Sequence, residues 1–142
     1  MNHRTTGWIA GALAVLALGL ATLPAHGQAP MPQQQLLGDV AYLNGGAGDE
    51  EVRFIKQSMK DYTLALAFAR GAAPAEYVAS VAVTIKDAKG QTVFETSSVG
   101  PYLLVKLPPG KYSVVANYHD VSLTRPVTAG KSAASVVTFV WK

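Results

Sequence analysis

The chain has 142 residues, enough for one domain, and it contains no cysteine. Hydrophobic residues make up 49% and charged residues 15%, a balance that excludes an ordinary disordered chain. The lack of cysteine excludes a disulfide framework, a thiolate metal site and a cysteine nucleophile. The net charge of +3 is small and scattered, so the sequence predicts no nucleic-acid binding.

Residues 1–27 have the pattern of a cleaved secretory signal peptide. A short basic start precedes a charge-free apolar run over 8–23, which Pro24 ends. Ala25 and Gly27 then place small residues where signal peptidase reads the chain. The run has 16 residues, fewer than the ~20 that a membrane span needs. We therefore expect a periplasmic or secreted protein, with no stable membrane insertion after cleavage.

The rest of the chain divides into a leader, a loop with one helix, and a β-rich region. Residues 28–35 are rich in proline and glutamine, which predicts a flexible leader. Within 36–62, a glycine-rich loop over 44–48 precedes a helix predicted at 49–62. Over 63–142 the hydrophobic period becomes two, which predicts about seven short strands.

The predicted helix has a single apolar stripe, formed by Val52, Ile55, Met59 and Tyr62. A helix of about three to four turns is marginal when isolated in water. A strand predicted at 64–68, with one buried face, follows almost at once. We therefore expect the helix to fold back over one face or one open edge of the β structure. There it would act as a structural lid rather than as a partner-binding helix.

The β-rich region predicts a mainly β fold, a seven-stranded antiparallel β-sandwich with one N-terminal amphipathic helix. Two turns carry the clearest local signals. Asp87 and Gly90 frame one of them. Pro108, Pro109 and Gly110 form the other, with the glycine expected at a left-handed corner.

Two segments of this region carry a family resemblance. They are Val81-Ala-Val-Thr-Ile85 followed by Asp87-Ala-Lys-Gly90, and Leu107-Pro-Pro-Gly-Lys-Tyr112-Ser-Val114. Over about residues 78–141 the chain resembles the carboxypeptidase regulatory-like (transthyretin-like, prealbumin-like) β-sandwich. The whole layout resembles small exported proteobacterial proteins of unassigned function. The resemblance implies a scaffold, with Tyr112 and Val114 facing the core, and implies no enzymatic activity.

The acidic residues and the glycine-rich loop give weak signals for ligand chemistry. Carboxylates follow the loop at once, which disfavours a phosphate site. Asp39, Asp49, Glu50 and Glu51 lack the alternating spacing of a calcium loop. The sequence therefore predicts no metal and no cofactor.

His119 is the one histidine after residue 27, and Asp120 follows it. A hydrolase centred on His119 would need a serine or carboxylate within reach. The pair more simply predicts an exposed tight connection between two strands. Replacement of His119 at such a position is expected to change stability little.

The sequence favours a non-enzymatic accessory or interaction module with an unidentified protein or cell-envelope partner. The alternative is a periplasmic binder of a small ligand or carbohydrate, and Tyr102 and Trp141 are its candidate ligand face. An exposed cluster of two or more aromatic residues in a concavity would favour that alternative. The hydrolase centred on His119 is the third interpretation.

Overall fold

The computed structural model describes residues 31–131 and 136–142, so the predicted signal peptide lies outside the described residues. The described chain is mainly β, with strands in two sheets and one short helix. The helix α1 spans Asp49–Ser58, and a 3-10 turn over Met59–Asp61 extends it. No helix in the described ranges has the length and apolarity to cross a membrane. The strands are β1 (Gln35–Leu37), β2 (Val40–Gly45), β3 (Leu64–Arg70), β4 (Glu76–Tyr77), β5 (Ala82–Lys86), β6 (Thr92–Ser97), β7 (Tyr102–Lys106), β8 (Gly110–Tyr118), β9 (Val121–Ala129) and β10 (Val136–Trp141).

The first sheet is mixed and has the order β1-β2-β7-β3-β10, with β4 also paired to β3. The second sheet is antiparallel and has the order β6-β5-β8-β9. The prediction of purely antiparallel strands is wrong, because β10 runs parallel to β3. Parallel neighbours need a long connection, and the second sheet lies within the chain that joins these two strands. Strands β1, β2 and β4 were not among the seven predicted strands.

One hydrophobic cluster contains side chains from both sheets. Phe68 and Phe139 of the first sheet have ring centroids 5.9 Å apart, and Phe94 of the second sheet belongs to the same cluster. Val114 is fully buried there, and Tyr112 packs against the cluster while half-buried. Both side chains therefore face the core, as the sequence predicted.

The helix α1 packs on the opposite face of the first sheet. Ile55 is fully buried there, together with Tyr62 from the end of the 3-10 turn. Ala65 and Ala67 of β3 lie in the same cluster, and their short side chains leave room for the helix. The prediction of a half-buried strand is therefore wrong for β3, whose residues 64–69 are buried on both faces.

Asp87 and Gly90 lie in a hydrogen-bonded turn between β5 and β6. The Asp87 carboxylate Oδ1 accepts the backbone N–H groups of Lys89 at 2.9 Å and Gln91 at 3.0 Å. Gly90 has a φ of 82°, a left-handed value that glycine adopts without a steric cost.

At the second predicted turn, the backbone conformation of Gly110 differs from the one predicted. This residue has a φ of 159° and begins β8 opposite Ala129, so it is close to extended rather than left-handed. Pro108 and Pro109, whose rings fix φ, lie in the connection before the strand. The Tyr112 hydroxyl donates to the Pro108 carbonyl oxygen at 2.7 Å and ties the connection to β8.

The end of the predicted flexible leader is engaged with the rest of the chain. Gln35 begins β1, and its Oε1 accepts a hydrogen bond from the Tyr42 hydroxyl at 2.6 Å. The Gln34 Oε1 accepts one from the Tyr62 hydroxyl at 2.9 Å. The expected loop over 44–48 is also shorter, since its first two residues belong to β2.

Candidate functional site

The connection between β8 and β9 is a two-residue turn, as predicted. Tyr118 pairs with Val121, and His119 and Asp120 lie between them. Their φ values of 48° and 64° are both left-handed. Two left-handed central residues make the hairpin turn whose twist matches that of the flanking strands. Asn-Gly is the usual sequence there, so this chain uses a less favourable pair.

This turn places the His119 ring on the Tyr118 ring. The two rings are nearly parallel, at 13°, and their centroids lie 4.1 Å apart. The Trp141 ring of β10 lies 5.5 Å from the Tyr118 ring, measured between centroids. The Trp141 indole Nε1–H also donates to the Val121 carbonyl oxygen at 2.9 Å. Trp141 therefore ties the end of the first sheet to the hairpin of the second.

A cleft of about 480 Å³ opens between this hairpin and the end of β10. Tyr118, His119 and Trp141 line it, and three aliphatic residues, Val121, Leu123 and Val140, complete its apolar walls. Val121 is 54% exposed, so the cleft presents apolar surface to solvent. Ligand pockets are typically concave and mostly apolar, with few polar groups.

Cationic groups also line the cleft, at Arg70 and Lys142. The Nη2 and Nε atoms of Arg70 each lie 3.0 Å from the Oε2 atom of Glu76. The hydrogen bond that Arg70 donates to Glu76, and then the negative charge of Glu76, raise the pKa of Arg70. Within 31–131 and 136–142, none of the residues lining the cleft is acidic.

The two residues predicted as a ligand face lie on opposite faces of the first sheet. Trp141 lines the cleft, whereas Tyr102 belongs to the cluster beneath α1. Tyr102 is 5% exposed, and its ring centroid lies 5.7 Å from that of Tyr77. Burial, followed by the neighbouring Tyr77 hydroxyl, raises the pKa of Tyr102 to about 12. The structure therefore does not bring Tyr102 and Trp141 together.

The His119 ring is exposed and stacked. In the part of the chain that the structure describes, no hydrogen bond links this ring to a serine hydroxyl or to a carboxylate. General base catalysis needs such a partner to orient the imidazole, or a substrate proton within hydrogen-bond reach. The described hydrogen bonds therefore do not bring to His119 the serine or carboxylate that a hydrolase centred on it would need.

The glycine-rich loop does not present an open anion site. The Glu51 Oε1 atom accepts the backbone N–H groups of Gly46 at 3.2 Å and Ala47 at 3.3 Å. Asp39 precedes β2 while Asp49 follows it, so the four predicted carboxylates are split between the two ends of that strand. Among the described residues, no group of three or more His, Asp or Glu side chains is placed to hold a metal ion.

Comparisons of the chain with protein-family models, with curated proteins and with solved structures gave no match. The cleft is therefore the observation from which a function can be argued. The sequence pointed to Trp141 and to the His119–Asp120 turn, but it did not single out Tyr118 or Arg70 as cleft residues. The available signal for Tyr118 was its position directly before the predicted turn.

Proposed function

We propose that the chain is an exported, non-enzymatic β-sandwich of the transthyretin-like type that binds a small ligand in the hairpin cleft. The sandwich assignment is supported by the single hydrophobic cluster to which both sheets contribute. The export assignment is supported by the signal-peptide pattern of residues 1–27. The binding assignment is supported by the hairpin cleft and by the backbone of its turn.

The observation that carries this proposal is the aromatic cluster in a concavity. The half-buried Tyr118 ring and the exposed His119 ring line one cleft and are stacked at 4.1 Å, and Trp141, which is 4% exposed, also belongs to the lining. Rigid aromatic rings give a ligand a large contact area at a low cost in side-chain entropy. This arrangement favours a small-ligand binder over the accessory or interaction module.

The backbone of the hairpin turn supports the same interpretation. His119 and Asp120 hold left-handed conformations that Asn-Gly would adopt at a lower cost. Backbone strain of this kind is found preferentially at functional sites. The His119–Asp120 sequence costs more than Asn-Gly in this turn. It places an aromatic ring at the cleft, whereas Asn-Gly has no aromatic ring.

A general interaction surface has less support. The most exposed large apolar side chains are Leu36, Tyr77 and Val99, with exposures of 69%, 60% and 71%. They belong to β1, to β4 and to the segment after β6. Single exposed apolar residues are normal on a protein surface.

Binding of phenylnaphthylamine, a neutral apolar fluorophore, tests the proposed function. We expect saturable binding with one site per chain, weakened severalfold by Val121→Ser, because that substitution removes apolar contact from the cleft wall. The matched control is Val136→Ser. This valine is 47% exposed at the start of β10, whereas Trp141 lies at the end of that strand.

Two results would overturn the proposal. One is the absence of saturable binding by the wild-type protein. The other is an equal loss of affinity in Val121→Ser and Val136→Ser.

A further inference from the structure

We propose that the ligand of the hairpin cleft is an organic anion, with an apolar ring body and one carboxylate, sulfonate or similar group. The ring body would contact Tyr118 and Val121, and the anionic group would pair with Arg70 and Lys142. This inference rests on the proposed function and adds the chemical class of the ligand.

The charges around the cleft are the first observation that supports an anion. The cationic side chains of Arg70 and Lys142 line it, and in the described ranges none of the side chains that line it is acidic. Asp120 lies in the turn and Glu76 lies at the rim, where it pairs with Arg70. A concave site with low-dielectric walls and one sign of charge concentrates ions of the opposite sign.

The geometry of the Arg70–Glu76 pair is the second observation. Both measured contacts, from Nη2 and Nε, go to a single oxygen, Oε2 of Glu76. A guanidinium has five N–H donors, so this pairing leaves donors available for a second acceptor. The side chains of Arg70 and Glu76 are 48% and 68% exposed, and an exposed pair of this kind is weak. A bound anion can therefore share Arg70 with Glu76 or displace Glu76 from it. Glu76 thus competes with the ligand for the Arg70 guanidinium.

The mixed character of the cleft is the third observation. Exposed Val121 and the half-buried ring of Tyr118 lie beside the cationic groups. A small inorganic anion would leave these apolar surfaces in contact with water, and a neutral apolar ligand would leave the cations unused. An apolar ring that carries an anionic group matches both parts of the site.

Two fluorescent probes with the same ring framework test this inference. Anilinonaphthalene sulfonate carries the anionic group, and phenylnaphthylamine lacks it. We expect the sulfonate to bind the wild-type protein about fivefold more tightly at low salt. This preference should shrink as salt is added, because salt screens exposed charges.

Two substitutions at the rim should act in opposite directions. Arg70→Gln should weaken sulfonate binding about fivefold, because it removes a positive charge at the cleft. Glu76→Gln should strengthen it by a similar factor, because it releases the same guanidinium. Neither substitution should change the affinity for phenylnaphthylamine.

The matched charge control is Lys89→Gln. Lys89 follows β5 in the turn before β6, and the pairing of Lys86 with Ser113 places that turn toward the far end of β8 from Tyr118. This variant should bind both probes as the wild type does. Near-ultraviolet circular dichroism and thermal melting of each variant separate a change at the cleft from a loss of folding.

The outcomes distinguish this inference from the proposed function. If neither probe binds saturably, the proposed function fails and this inference fails with it. If both probes bind equally well and neither Arg70→Gln nor Glu76→Gln changes the sulfonate affinity, the anion inference is wrong while the binding function stands. Opposite effects of the two substitutions, seen only with the sulfonate, would support the inference.

Discussion

His119 and Asp120 show how backbone conformation changes the expected effect of a substitution. The sequence indicated an exposed connection at which replacing His119 would hardly matter. The connection is indeed a tight, exposed turn, but both residues are left-handed and the His119 ring is stacked on Tyr118. We therefore replace the expectation that substituting His119 changes stability little. That expectation rested on exposure and took no account of the left-handed backbone or the ring contact.

We predict that Asp120→Gly raises the free energy of unfolding by about 1 kcal/mol, because glycine relieves the left-handed strain without touching the ring stack. His119→Ala should lower it by about 1 kcal/mol, because it removes the aromatic contact and leaves an alanine in a left-handed conformation. Urea unfolding measures both changes. An unchanged or lower midpoint for Asp120→Gly would count against the left-handed turn.

The raised pKa values of three tyrosines predict that the protein loses stability at alkaline pH. Burial and Tyr77 raise the pKa of Tyr102 from 10.0 to about 12. Burial, with smaller effects of Asp61 and Asp87 respectively, also raises the pKa of Tyr62 and of Tyr112. The folded state holds these protons more tightly than the unfolded state does. The associated stability is therefore fully present below pH 10.0 and is lost as the pH rises towards about 12.

Tyr102→Phe tests this pH dependence directly. The wild type should lose stability between pH 10 and pH 12, by about 2 kcal/mol from Tyr102 alone. The variant should lose less over the same range, because it lacks that ionisable group. Urea midpoints measured at several pH values compare the two proteins, and parallel curves would show that Tyr102 does not ionise in the way described.

At the scale of elements, local pattern identified the helix but not what it covers. The stripe over residues 52–62 predicted one buried face, and Ile55 and Tyr62 are indeed buried. The alanines of β3 resembled a solvent-facing row because small residues carry little hydrophobic signal. Strand β2, which lies between β1 and β7, was missed for a related reason. Its adjacent Tyr42 and Leu43 are both buried, one on each face, so it shows no alternation.

The packing of α1 on the first sheet predicts a large effect of Ile55→Ala. This substitution should lower the free energy of unfolding by about 2–5 kcal/mol, because it opens a cavity under a fully buried side chain. Gln57→Ala, at an exposed position of the same helix, should stay within about 0.5 kcal/mol of the wild type.

Point substitutions serve this test better than a truncation, because removing residues 28–61 would delete β1 and β2 together with the helix. Equal urea midpoints for Ile55→Ala and Gln57→Ala would show that the helix does not stabilise the fold.

At the scale of the whole molecule, the cleft arises from long-range pairing that no local pattern reveals. The register of β10 on β3 places Trp141 opposite Arg70. The Trp141 indole then bonds to Val121, which brings both residues to the hairpin that carries Tyr118. The sequence could therefore indicate the turn and single out Trp141. It could not indicate Arg70, which lies 71 positions before its partner in the sheet.

The indole N–H of Trp141 gives the most direct test of the claim that this cleft binds a small ligand. It donates to Val121 at 2.9 Å inside the cleft wall. An indole N–H gives an NMR signal that is distinct from those of backbone amides. Proton–nitrogen correlation spectra should be recorded while phenylnaphthylamine is added to the protein. We predict that this indole signal and the backbone amides of residues 118–121 show the largest shifts and saturate together. Unchanged signals at these groups, with shifts near Leu36 or Val99 instead, would contradict it.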